Sequence, residues 1–360
     1  MTSQSLSETA NMLAEATDRL LLKVLTAEEA GTAWSPALWD ALVDQDIPGA
    51  LAATIDEDPA DPDRLGRDGA LNLLVIAGRH AAPVPLAEHM IAAWIGAQAG
   101  LDLPSGPVTI AGVGWHDALG VSADGLVKGR ALGVAFAREA EAVLAIGNEY
   151  CALVPVSDLS LTCSENTADE ARCEISFDGI SGHVGKLPLS MPQLRAGLAG
   201  ARAIQMAGAL AKVLELTSAY VQERKQFGRP IGKFQAVQQA LAELGGQVAT
   251  AQAAANLASA AFGNPGGAAT LAAAKIRTGE AVGIASRIAH QAHGAIGFTQ
   301  EYELQRYTRR LWSWREDYGN ESRWARWLGL ALTEPAAGHD GDDLWELLTS
   351  DMPLTEEPVA

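Results

Sequence analysis

The sequence predicts an α+β fold in three parts: an N-terminal helical domain over 1–103, a small antiparallel β domain over 104–188 and a C-terminal four-helix bundle over 189–333. Two observations predict it. Short β-rich runs separated by Gly, Asp and Asn turns are confined to the middle stretch. After residue 190 the apolar pattern becomes helical and long, interrupted only by Gly/Pro breaks. Residues 334–360 read as an acidic, Pro-containing tail with one apolar patch at Leu344-Trp345.

In the first part, Ser35-Pro36 reads as an N-cap followed by proline at the first helical position, with Leu38, Trp39, Leu42 and Val43 at helical spacing. An acidic loop over Glu57 to Arg64 precedes a helix from about Arg67 to His80. Pro83-Val84-Pro85 then introduces an apolar helix around Leu86 to Ala99. In the second part, the strand candidates are Val108–Val113, Val143–Ile146, Cys151–Val154 and Cys173–Phe177. In the third part, helices are expected from about Gln193 to Arg224, Lys233 to Phe262 and Gly267 to His293, with Asn264-Pro265-Gly266-Gly267 separating the last two. Helices of roughly 27–30 residues are about 40–45 Å long, the scale of an extended bundle.

Composition narrows the function classes. Nearly half the residues are apolar (48%) and 19% are charged, which suits a globular chain with real cores. The formal charge of −18 opposes binding to nucleic acid or to anionic membrane surfaces. It leaves room for a polyanion such as coenzyme A in a locally basic pocket. Met1 to Ala14 is polar and acidic, unlike a signal peptide, and no run of 18 apolar residues occurs, so the cytoplasm is the default expectation. Cys151, Cys163 and Cys173 are an odd number at irregular spacing and suggest neither a disulfide framework nor a zinc site.

Two segments carry candidate chemistry. Glu223-Arg224-Lys225-Gln226-Phe227-Gly228-Arg229-Pro230-Ile231 is a cation-rich helix end followed by a tight Gly/Pro turn. Arg224 could pair with a phosphate and Phe227 could pack against a ring. On the residues alone, the favoured reading is a cation at a helix C-terminus and a core phenylalanine. His290-Gln291-Ala292-His293-Gly294-Ala295-Ile296-Gly297-Phe298 is a helix stopping at a Gly-rich turn, either an ordinary C-cap or a place where backbone approaches a ligand. His290 and His293 have no third metal ligand nearby, so they read as capping or core histidines rather than a metal site. The run Arg306 to Arg315, with Trp312 and Trp314, reads as structural packing in preference to RNA binding.

Together, Arg-x-Gln-Phe-Gly-x-Pro-Ile with Phe-Gln-Ala-Val-Gln, and Gln-x-x-Gly-x-x-Gly-Phe some 60 residues later, resemble the C-terminal domain of acyl-CoA dehydrogenases. The resemblance is specific from about Ile204 to Leu330 and architectural before Leu187. It implies an FAD lying across a subunit interface, with Arg224, Gln226 and Phe227, then Gln291, Gly294 and Ala295, reaching its diphosphate and adenosine end. Ala295 replaces a usual glycine. It also implies an acyl-CoA substrate and an electron-transfer flavoprotein as electron acceptor.

The pattern departs at the catalytic base. The family's usual glutamate slot falls on Tyr318, and the alternative slot, early in the first long helix, falls near Leu198. Glu316 and Asp317 are the acidic neighbours, Asp317 being the better candidate if the chain has its own base. The family's Thr-Glu-Pro-x-x-Gly-Ser-Asp segment is also missing; the nearest stretch is Thr109-Ile110-Ala111-Gly112-Val113-Gly114. Features that would reach a partner's FAD are kept, while those that hold a chain's own ring and base are lost. By resemblance, this is the pattern expected of the small subunit of a heteromeric bacterial acyl-CoA dehydrogenase. The alternatives are a self-sufficient homomer using Asp317 or Glu316, and a non-catalytic assembly or CoA-binding subunit.

Overall fold

The computed structural model describes residues 6–25 and 32–333. The expected acidic tail, 334–360, lies outside the described residues. The chain divides into two compact units, one formed by residues 1–74 and 82–198, the other by 75–81 and 199–360.

The first unit begins with helices α1 (Glu8–Val24), α2 (Pro36–Val43), α3 (Ala50–Ala53), most of α4 (Gly66–Arg79) and α5 (Leu86–Ala99). Ser35 caps α2 as expected, its Oγ accepting from Leu38 N at 3.2 Å. The Glu57 carboxylate accepts from the amides of Leu65 and Gly66 at 2.8 and 2.9 Å, placing negative charge at the start of α4. His89 on α5 joins this layer to the strands: its Nδ1 accepts from Val108 N at 3.0 Å while its ring meets Trp39 edge-on. Burial lowers its pKa to about 4, consistent with a neutral ring whose Nδ1 is free to accept.

The strands follow: β1 (Val108–Ala111), β2 (Ala118–Val121), β3 (Leu126–Ala135), β4 (Ala142–Ile146), β5 (Tyr150–Pro155), β6 (Ser160–Glu165), β7 (Ala171–Ser181) and β8 (His183–Lys186). They form two four-stranded sheets, ordered β1-β4-β5-β8 and β2-β3-β7-β6. This corrects the expectation of one antiparallel sheet in one respect, because β1 and β4 run parallel. The intervening hairpin β2–β3 belongs to the other sheet, so β4 returns beside β1 in the same direction. Val127, Ala131, Val143, Val154, Ile175 and Phe177 share one buried cluster drawn from both sheets.

The cysteines require a second correction. Cys163 and Cys173 form a disulfide (S–S 2.01 Å), while Cys151 is free and buried. The residues oppose each other across β6 and β7, joined by a turn in which Asn166 accepts from the amides of Ala168 and Glu170. Irregular sequence spacing hides this pairing because strand register, not spacing, brings the two thiols together. Such bonds are uncommon in the cytoplasm, the default expected from the sequence.

The second unit contains most of α6 (Met191–Glu223), then α7 (Gln235–Ala261), α8 (Ala268–His293), α9 (Leu304–Glu316) and α10 (Glu321–Thr333). Between α6 and α7 is a minimal hairpin, β9 (Lys225–Gln226) and β10 (Arg229–Pro230). Met206, Leu210, Leu244, Val282, Leu311 and Trp314, from α6 to α9, form the bundle core. Its alanine-rich helices can approach closely. The last turn of α4 crosses α6 through two glycines, where a Cβ on Gly78 would meet Gln205 O at 1.9 Å and one on Gly208 would meet Val75 O at 1.9 Å. The three long helices start and stop within about two residues of the expected positions, because Pro/Gly breaks and apolar periodicity act together there.

Candidate functional site

The candidate site is a cavity of about 630 Å³ within the second unit, lined from the end of α6, the β9–β10 hairpin, the start of α7 and the end of α8. All six residues singled out from the resemblance line it: Arg224, Gln226, Phe227, Gln291, Gly294 and Ala295. They lie about 70 residues apart in sequence and meet because α6 and α8 both terminate at this end of the bundle.

Arg224 directly follows α6, and its guanidinium has no partner among the described residues. Phe227 and Gly228 form the two-residue loop of the hairpin, closed by the Gln226–Arg229 pair. Both have positive φ (50° and 80°), the backbone that a type I′ turn requires. A left-handed phenylalanine costs roughly 1–2 kcal/mol, and this one is 91% exposed. Its ring is oriented edge-on to Phe234, whose face carries the Arg229 guanidinium at 4.2 Å. Gly294 closes α8 with φ 67°, and among the described residues nothing beyond its own chain neighbours lies within 4 Å of where its Cβ would be. The glycine is needed for backbone conformation and leaves open space for a ligand.

Below the cavity is an aromatic floor. Tyr220 stacks on His293 at 4.3 Å and donates to the His293 carbonyl at 3.3 Å. His293 Nδ1 lies 2.8 Å from Ala289 O, so it carries the proton, and Nε2 accepts from Tyr302 Oη at 3.2 Å. His290 bonds Thr308 and stacks on Phe298. Burial lowers the pKa of both histidines, with His293 adding to the effect on His290. Among the described residues, no group of three His, Cys, Asp or Glu side chains could hold a metal.

Arg287 also lines the cavity, one helical turn before Gln291, and was absent from the motif-based candidates. Its place four residues before Gln291 on one helix face is the signal that would have found it. Among the described residues, the lining therefore contains two guanidiniums and no carboxylate, in a chain with a formal charge of −18. Among the described residues, no side-chain oxygen caps the N-terminus of α7, whose Ala236 and Val237 also line the cavity. Cavity size, charge and aromatic surface together fit a nucleotide diphosphate such as the ADP half of FAD.

The α9–α10 loop, where the family base would fall, is built differently. Asp317 Oδ2 lies 3.2 Å from Nη2 of Arg202, a side chain only 1% exposed. That guanidinium also sits over the rings of Trp314 and Tyr318 at 5.5 and 5.6 Å. Lys275 Nζ donates to Arg315 O and Gly319 O at 2.6 and 2.7 Å, tying the two sides of the loop together. Tyr318 has φ 57°, and its carbonyl accepts from Trp324 Nε1 at 2.9 Å. Glu316 accepts from the Asn320 amide at 3.0 Å, and Glu321 pairs with Arg315. Leu198, at the alternative slot, is a buried aliphatic residue in the first unit.

In the first unit, the segment nearest the missing flavin-lining motif is folded on itself. Arg195 donates to the carbonyls of Val113 and Gly114 at 2.9 and 3.2 Å and lies 4.4 Å over the Trp115 ring. Asp117 accepts from the amides of Gly114 and Leu132 at 2.7 and 2.8 Å.

A helical bundle with this pocket defines a class. Residues 195–316 match the family model "Acyl-CoA dehydrogenase, C-terminal domain", so this part of the chain is similar to that domain. "Acyl-CoA dehydrogenase IpdE2" of Mycolicibacterium smegmatis is 38% identical over 118 residues, 32% of this chain and 37% of the relative. The chain thus matches little more than a third of that relative's length. The fold likeness extends further. A "Tcur3481-Tcur3483 steroid ACAD" variant superposes with a TM-score of 0.77 at 23% identity, over 89% of this chain and 97% of that one. The "ChsE4-ChsE5 complex" of Mycobacterium tuberculosis gives 0.76 at 21% identity, over 93% and 100%. Among the described residues, no helix is long and apolar enough to cross a membrane.

Proposed function

We propose that this chain is one subunit of a heteromeric, FAD-dependent acyl-CoA dehydrogenase. Its cavity grips the diphosphate and adenosine end of an FAD, and a partner chain supplies the catalytic base. The observation that carries this reading is the contrast between the two sites. Six residues assigned by resemblance converge on a basic cavity, while the loop that would hold a base contains Tyr318 and an Asp317 facing the buried Arg202. Two structurally similar proteins are named as two-component assemblies.

In this reading Arg224 binds phosphate, Gln226 and Gln291 hydrogen-bond the ligand, and Gly294 with Ala295 lets backbone approach it. Phe227 covers the adenosine end, offsetting the cost of its exposed, left-handed position. FAD held there would supply a hydride acceptor for a reaction in which a carboxylate removes the proton α to the thioester carbonyl. By family resemblance, electrons then pass to an electron-transfer flavoprotein.

Asp317 acts here as the counter-ion of Arg202, and Glu316 as a partner of Asn320. Asp317→Asn and Glu316→Gln are therefore expected to leave the turnover of the flavin-loaded complex within about threefold of wild type. A catalytic base contributes typically 10²–10⁴-fold. A hundredfold loss of turnover with flavin content intact would favour a self-sufficient enzyme instead.

A further inference from the structure

Arg287 is outside the resemblance-derived set, yet it lines the same cavity as Arg224. The electrostatics give it a role. Helices α6 and α8 both end here, so the cavity receives the partial negative charge of two helix C-termini. A diphosphate adds about two more negative charges. Arg224 alone leaves the diphosphate itself under-compensated, whereas Arg224 and Arg287 together match its two charges. Arg287 Nη2 is 3.4 Å from Glu243 Oε1 on α7. That pair is long and mostly exposed, at 65% and 50%, so it is weak and easily exchanged. Glu243 is not part of the cavity lining.

We propose that Arg287 is a second phosphate contact, selecting a nucleoside diphosphate over its uncharged nucleoside, and that Glu243 holds Arg287 in reserve until the ligand displaces it. This deepens the cofactor-site reading and rests on it. The proposal gives opposite signs to two substitutions that remove the same ion pair. Without Arg287 the cavity loses a cation; without Glu243 the cation is released to the ligand.

The test is calorimetric titration of the flavin-stripped co-expressed complex with ADP and, separately, with adenosine, this chain being wild type, Arg287→Gln, Glu243→Gln or Arg224→Gln. Arg287→Gln is expected to weaken ADP binding about tenfold, and Glu243→Gln to strengthen it about threefold, while adenosine binding changes with neither. A structural role for the ion pair would instead move both variants in the same direction, which would overturn the proposal. So would wild-type ADP affinity in Arg287→Gln, or no ADP binding by wild type. Loss of ADP binding in Arg224→Gln alone would remove this inference and leave the cofactor site standing. The cofactor reading fails separately if the co-expressed complex retains no flavin.

Discussion

Lys275→Met is expected to destabilise the C-terminal unit by about 3–5 kcal/mol, the range for removing one partner from a buried charge cluster. Lys275 is 1% exposed and lies in the first third of the alanine-rich helix α8. Its ammonium satisfies two loop carbonyls, Arg315 O and Gly319 O. Around it are Asp317, Glu316 and Glu321 on one side of the charge balance, and Arg202 and Arg315 on the other. Methionine fills the volume but leaves both carbonyls without their donor and, below about pH 7, removes a positive charge that faces Asp317. Burial lowers the Lys275 pKa from 10.5 to about 7, with Asp317 opposing that shift and Arg202 reinforcing it. The unfolded chain thus binds this proton between about pH 7 and 10.5 where the folded chain does not, so this group makes stability rise with pH across that window. Below about pH 7 both states are protonated and its contribution is flat. Denaturant unfolding of wild type and variant at several pH values checks both parts. A loss under about 1 kcal/mol, or the same pH dependence in the variant, would show that Lys275 does not hold the loop.

The second large effect concerns the cofactor. Arg224→Ala is expected to weaken flavin retention by the co-expressed complex about 10- to 150-fold, equivalent to losing charged hydrogen bonds worth about 1.5–3 kcal/mol. Arg224 is exposed and has no ion pair among the described residues. Its removal should therefore leave the unfolding temperature of the flavin-free chain nearly unchanged. Flavin absorbance after exhaustive dialysis measures the effect. Unchanged flavin content would favour a subunit with no flavin role, acting in assembly or CoA binding.

Much of this architecture could be read before any coordinates, for identifiable reasons. The helices α6, α7 and α8 combine long apolar periodicity with hard breaks such as Asn264-Pro265-Gly266-Gly267, and Ser35-Pro36 announces α2. Strands β1 and β4 are buried throughout and appear as apolar runs interrupted only by Thr109. Strands β2 and β6 are largely exposed, and β3 contains glycines and two register shifts, so none shows clean alternation. The six cavity residues were legible because two local motifs carried them. Arg287 was not, since its one signal, a place one helical turn before Gln291, has meaning only once Gln291 is assigned to the site. Nor was the Arg202–Asp317–Lys275 cluster, which joins residues more than 40 positions apart from α6, α8 and the α9–α10 loop. Local periodicity does not encode contacts at that separation.

The most direct test of the split-site account is the FAD stoichiometry, by absorbance, of this chain purified alone and after co-expression with a dehydrogenase chain encoded beside it. The account predicts little flavin on the chain alone and one FAD per heterodimer. A full FAD on every chain of a homomeric preparation would contradict it, and would return the search for a base to the loop around Asp317.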